Sequence, residues 1–243
     1  MQQHQIGIGT NTTGLKASPM DAGRMLEIPD LQHTTPAPVP TADEMRAAFR
    51  ESAEPVGSVP PPTNVRGIVG TAANGLVGQK MHVLLDKLAE RAAFERAGVR
   101  LYDAMLRKLA DVDALPEGLT MAALQDIRAD ELDHFLLLTE SIERLGGDPT
   151  AMTPCADLTG VKGMGLVQAM NDPRLTVAQA LDTMLGAEAM DVASWELLIE
   201  LVQGFGQDDL AEQFAGALAT EQRHEAILRD WTAAAMRDAA FVG

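Results

Sequence analysis

Glu131-Leu132-Asp133-His134 lies in a segment, from about Thr120 to Leu145, whose apolar residues recur at Leu124, Ile127, Leu138, Ile142 and Leu145. Steps of three and four are the period of a helix with one buried face. Glu131 and His134 fall in the gap of that stripe, where two more apolar residues belong. A carboxylate and an imidazole therefore point into a core, which is costly unless they are paired, protonated or bound to a cation. Residues three apart on a helix are neighbours, so both side chains can reach one ion. The arrangement recurs at Glu221-Gln222-Arg223-His224, inside Leu210, Phe214, Leu218, Leu228 and Trp231.

Two further helical stripes each carry a single glutamate. The first helix is expected from about Gln79 to Leu109, with Leu84, Leu88, Ala92, Glu95, Val99, Tyr102 and Leu106 in the stripe. The third is expected from about Thr176 to Gln203, with Leu181, Met184, Glu188, Asp191, Trp195, Leu198 and Val202. The fourth, about Asp208 to Met236, holds Glu221 and His224. Short connections at Asp111–Gly118 and Gly204–Gln207 imply two antiparallel hairpins. Gly146-Gly147-Asp148-Pro149 stops the second helix. The stretch between the hairpins reads as a crossover, with one short helix near Gly165–Met170 and bends at its glycines.

The remainder divides off by composition. Residues 1–78 read as an extended Pro/Gly-rich arm and connector, and 79–240 as the bundle. Within the arm, Thr41 to Ala53 is expected as a short helix capped by Thr41 with Glu44 three residues on. The net charge is −16. Residues 1–80 carry six basic and seven acidic side chains, and residues 81–243 carry 13 and 28. Such a surface repels nucleic acid and anionic lipid and concentrates cations. The single cysteine, Cys155, excludes an intrachain disulfide and a Cys-rich metal site. No secretory signal or bilayer-spanning run is read, so a cytoplasmic protein without membrane contact is expected.

In order, the helices supply Glu95; Glu131 with His134; Glu188; and Glu221 with His224. One glutamate from each of two helices and a Glu-x-x-His pair from each of the other two is the ligand set of di-iron and di-manganese carboxylate bundles. Carboxylates bridge hard cations, and one neutral imidazole per metal leaves a position open. The stripes show no arginine or lysine that would neutralise these carboxylates instead. Asp191 reads as an extra ligand, as an acceptor orienting a histidine, or as the partner of a core polar group; the orienting role is favoured. Tyr102 reads either as core with a polar handle or as a residue acting beside the metals.

The order Glu, Glu-x-x-His, Glu, Glu-x-x-His along two hairpins resembles the ferritin-like superfamily of di-iron proteins. Glu95-Arg96-Ala97-Gly98-Val99-Arg100-Leu101-Tyr102 also resembles the first ferritin helix, where a tyrosine two turns after the ligand glutamate hydrogen-bonds near the metals. The histidine on the fourth helix is closer to the rubrerythrin and bacterioferritin branch. The resemblance implies an all-α, antiparallel four-helix bundle with a long crossover. It implies two iron ions, with manganese as the alternative, bridged by Glu131 and Glu221 and held terminally by Glu95 and Glu188. It further implies Fe(II) oxidation with reduction of O2 or hydrogen peroxide, and a homo-oligomer. One cysteine cannot build a rubredoxin module, so an electron donor would be separate. The alternatives are a metal-storing or scaffold subunit, an oxygenase, and a manganese catalase.

Overall fold

In the computed structural model, residues 40–52, 59–62, 80–110 and 112–241 are described. Expectations for residues 1–39 and for the Gly-rich connector 64–78 lie outside them. The chain divides into two units, Met1–Glu54 and Pro55–Gly243. In the first, α1 spans Ala42–Ser52. The Thr41 hydroxyl accepts from the Glu44 N–H (3.2 Å), and the Glu44 carboxylate accepts from the Thr41 N–H (2.7 Å). This reciprocal cap satisfies two donors at the helix start.

The second unit is wholly helical among the described residues. α2 (Met81–Leu109) and α3 (Met121–Arg144) form one hairpin, and α5 (Val177–Gly204) and α6 (Asp208–Phe241) the other. Between them lies α4, Pro154–Asn171. The α2–α3 hairpin is antiparallel: Asp103 pairs with Arg128, and Gly147 beyond α3 lies against Leu85 near the start of α2. Glycine signals end α3 and α5 as read. Gly146, at φ 86°, and Gly206, at φ 66°, occupy the left-handed region that glycine reaches without strain. The Gly147 N–H donates to the Ile142 carbonyl, and the Gln207 N–H to that of Val202, which satisfies otherwise orphaned carbonyls. Thr176 caps α5, with a reciprocal bond to Gln179.

The crossover differs from expectation. It is an 18-residue helix rather than a short one near Gly165. Gly160, Gly163 and Gly165 make no bends; they sit where an added Cβ would meet nothing within 4 Å. Their cost to the helix is offset at its start, where the Thr153 side chain accepts from the Ala156 N–H and Pro154 opens the first turn. α4 runs alongside α2 in the same direction. The Cys155 N–H bonds Asp86, and at the far end Lys108 bonds the carbonyls of Asp172 and Leu175. A helix of that length spans about 27 Å. It returns the chain to the opposite end of the bundle, so α5 starts antiparallel to α2. Two hairpins joined by one long crossover is the ferritin-like topology.

The core is not continuous. One apolar cluster gathers around Tyr102, Met105, Leu124, Met184, Leu228 and Trp231. The other gathers around Leu84, Leu88, Leu138, Trp195, Leu210 and Phe214. Between them lies a polar layer.

Candidate metal centre

Six side chains meet in that layer, all buried: Glu95, Glu131, His134, Glu188, Glu221 and His224. They come from the four bundle helices, at the stripe positions where the sequence substitutes polar residues for apolar ones. Their ligand atoms fall within 4.8 Å of one another in overlapping sets. One set is Glu131, Glu188, Glu221 and His224; a second is Glu95, His134 and Glu221. Glu221 spans both: its Oε1 lies 2.5 Å from His134 Nδ1 and its Oε2 3.1 Å from His224 Nδ1.

Tyr102, fully buried, donates its hydroxyl to Glu188 Oε1. Asp191 is buried in the same layer, but its partner is Arg91 rather than a histidine. Arg91 also donates to Glu95 Oε1 at 2.6 Å. The expectation that no cation lies among these carboxylates is therefore corrected. Arg91 is 4% exposed and stacks over the rings of Phe94 (4.7 Å) and Trp195 (5.6 Å). It precedes Ala92 at the edge of the stripe, where an arginine ordinarily reaches solvent. Its long stem instead carries the charge one turn along, to Glu95.

Two more residues shape the centre. Asp130 Oδ2 lies 3.0 Å from His224 Nε2, leaving Nδ1 facing Glu221, Glu131 and Glu188. Its neighbour Glu131 announces itself through the stripe, but nothing in the sequence links Asp130 to a histidine 94 positions away. Gly98 lies against Glu131 so closely that a Cβ there would overlap the Glu131 Oε2. A glycine inside a long helix costs about 1 kcal/mol relative to alanine, and here that cost makes room for a carboxylate. A mid-helix glycine was the available signal.

The donor set fits two cations. Glu95 Oε2, Glu131 Oε1, His134 Nδ1, Glu188 Oε2 and Glu221 Oε1 are buried without a hydrogen-bond partner. His134 Nδ1 and Glu221 Oε1 approach closely, but not in the geometry of a hydrogen bond. Orphaned acceptors converging on one region are costly unless a cation satisfies them. Charge counts the same way. Arg91 offsets Asp191, and the four glutamates that remain match two divalent ions. Burial, with help from neighbouring carboxylates, pushes Glu95 up to about 7 and Glu131 and Glu188 well above the ordinary range. Burial also pushes on Glu221, but His134 and His224 outweigh it and hold that carboxyl low. Burial works against a charge on His134, yet Glu221 and Glu95 beside it raise its pKa. Protons and metal therefore compete for this layer, and binding a metal releases protons.

No family model matches the chain, and no curated protein sequence does. Among solved structures, a ferritin-like, diiron-carboxylate protein from Bacillus anthracis str. Ames is similar. The identity is 21% and the TM-score 0.46, over 61% of this chain and 94% of that one. A likeness that loose fixes no function, and the centre stands on its own side chains. Among the described residues, no helix is long and apolar enough to cross a membrane.

Proposed function

We propose that the chain is a di-iron carboxylate protein that oxidises Fe(II), with O2 or hydrogen peroxide as electron acceptor. The observation that carries the reading is the buried layer of four glutamates and two imidazoles, with Glu221 within reach of both histidines. Bound iron would supply the redox chemistry, two Fe(II) together furnishing the two electrons that, with two protons, reduce one hydrogen peroxide to two waters.

The protein's own part is positioning and charge. Glu95, His134 and Glu221 would hold one ion; Glu131, Glu188, Glu221 and His224 would hold the other. Glu131 also reaches toward Glu95 in a third set of convergent carboxylates, which supports a bridging place for it as well as for Glu221. Tyr102 fixes the orientation of Glu188, and Asp130 the orientation of His224. Trp195 meets His134 edge-on at 5.7 Å and Phe214 at 5.2 Å, closing one side of the layer to water. A separate donor would return the iron to Fe(II), since one cysteine builds no rubredoxin module. The exposed Leu132 and Leu136 on α3 support a homo-oligomer, and the reading places the protein in the cytoplasm.

The test is elemental analysis of the purified full chain, followed by Fe(II) oxidation under O2 and under peroxide. About two irons per chain are expected, and oxidation should be faster than with Glu221→Ala. Two manganese ions per chain would move the reading to the manganese alternative. A folded chain without metal from metal-replete cells, or iron oxidation unchanged in Glu221→Ala, would overturn it.

A further inference from the structure

A cavity of about 390 Å³ opens where α2, α4 and α5 meet, on the outer side of Arg91. Arg91 has five N–H donors. Its Nη2 bonds both Glu95 and Asp191, while its Nε is buried without a partner. The stacking on Phe94 and Trp195 holds the guanidinium in place. The Arg91 side chain thus lines the cavity while its charge is turned toward Glu95 and Asp191.

Two more cations line it. Lys87 lies one turn before Arg91 on α2, and Lys162 comes from α4. Both are about half exposed, and both reach the one acidic group there, Glu90, at 2.6 and 3.5 Å. With Arg91 matched by Asp191, two lysines at the cavity share one carboxylate in the most acidic part of the chain. The facing wall is apolar: Leu197, Leu198 and Leu201, on one face of α5. Leu197 is 67% exposed, the most of any large apolar side chain among the described residues of the bundle apart from Phe241 at its end.

We propose that this cavity binds a carboxylate with a short alkyl tail. The head would sit between Lys87 and Lys162, and the tail along Leu197 and Leu201. The volume is within the range of small-molecule sites. An inorganic anion would leave the leucine wall in water, and a neutral alkyl chain would leave Lys87 and Lys162 sharing the single carboxylate of Glu90. Nothing in this inference depends on which metal the buried layer takes.

Isothermal titration calorimetry on the full chain tests it, with sodium octanoate, sodium acetate, inorganic phosphate and 1-octanol as probes. Octanoate should bind saturably at one per chain, with the other three at least about tenfold weaker. Lys162→Glu and Leu197→Asp change exposed positions that touch no residue of the metal layer. Each should weaken octanoate by roughly tenfold with an unchanged helical circular dichroism spectrum. Absence of saturable octanoate binding would overturn the proposal. So would phosphate binding as tightly as octanoate, which would mark a site for free inorganic anions. So, too, would both variants matching the parent, which would put the octanoate elsewhere, including on the buried carboxylates.

Discussion

The two halves of the metal layer occupy matching places in the two hairpins, yet they are built differently. Around His224, three glutamates converge, the imidazole is backed by Asp130, and Glu188 is held by Tyr102. Around His134, Glu95 and Glu221 converge, Trp195 takes the ring edge, and Arg91 already claims one oxygen of Glu95. More donors and a carboxylate behind the ring favour tight metal binding in the first half. A resident guanidinium competes with metal in the second. The lesson is that an internal repeat in sequence need not give two equal sites. One half offers an ion more donors than the other.

The largest effect should come from the residue common to both halves. Glu221→Ala is expected to drop metal content from about two per chain to near zero by elemental analysis, with the helices retained. If one ion persisted, the halves would not share Glu221. Next, Asp130→Asn should weaken only the tighter of two events in a Co(II) titration, by about 10- to 100-fold. Equal weakening of both events would erase the distinction between the halves.

Gly98→Ala should displace Glu131 and lower the stoichiometry toward one. A full complement of metal would show that Glu131 can move aside without loss. The double variant Arg91→Met with Asp191→Leu removes the competing cation and its partner together. It should tighten the weaker event by roughly tenfold, a lesser change than at Asp130 because Glu95 keeps one free oxygen either way.

The smallest effect is on stability. Glu95, Glu131, Glu188 and His134 all have raised pKa values in the folded chain, so the fold binds protons that the unfolded chain has released. For the chelator-treated protein, stability should therefore fall as pH rises from about 4.5 through 7. Glu221 acts in the opposite sense, being held low, but it is one group against four. A melting temperature lower at pH 8 than at pH 5, by on the order of 5 °C, is expected by differential scanning fluorimetry. Added metal should remove the slope, because ligated carboxylates no longer take up protons. A rise in the melting temperature of the chelated protein over that range would contradict the assigned directions.

The bundle was legible because its helices are amphipathic and the six polar residues break their stripes at corresponding places. Leu124, Ile127, Leu138 and Ile142 are all buried, and Glu131 and His134 lie between them at the same depth. α4 was harder to read. It buries only Ala156, Thr159 and Met170 among its residues, so its pattern has little period, and its glycines imitate loop. The Thr153-Pro154 start was the better signal. Arg91 escaped notice because its charge lies a turn away from its backbone position. Asp130 escaped notice because its partner is on another helix. Such contacts depend on how two helices face each other, which periodicity along one of them does not encode.

The separation of the core into two apolar clusters bears on how the bundle opens. With a charged seam between them, the end around Met105 and Trp231 and the end around Leu84 and Phe214 are held together by few greasy contacts. Each end is then a candidate cooperative unit that can unfold by itself. Ions bound across the seam would tie the two into one. Native-state hydrogen exchange should accordingly show amides at the two ends opening with separate free energies in chelator and with a common one once metal is added.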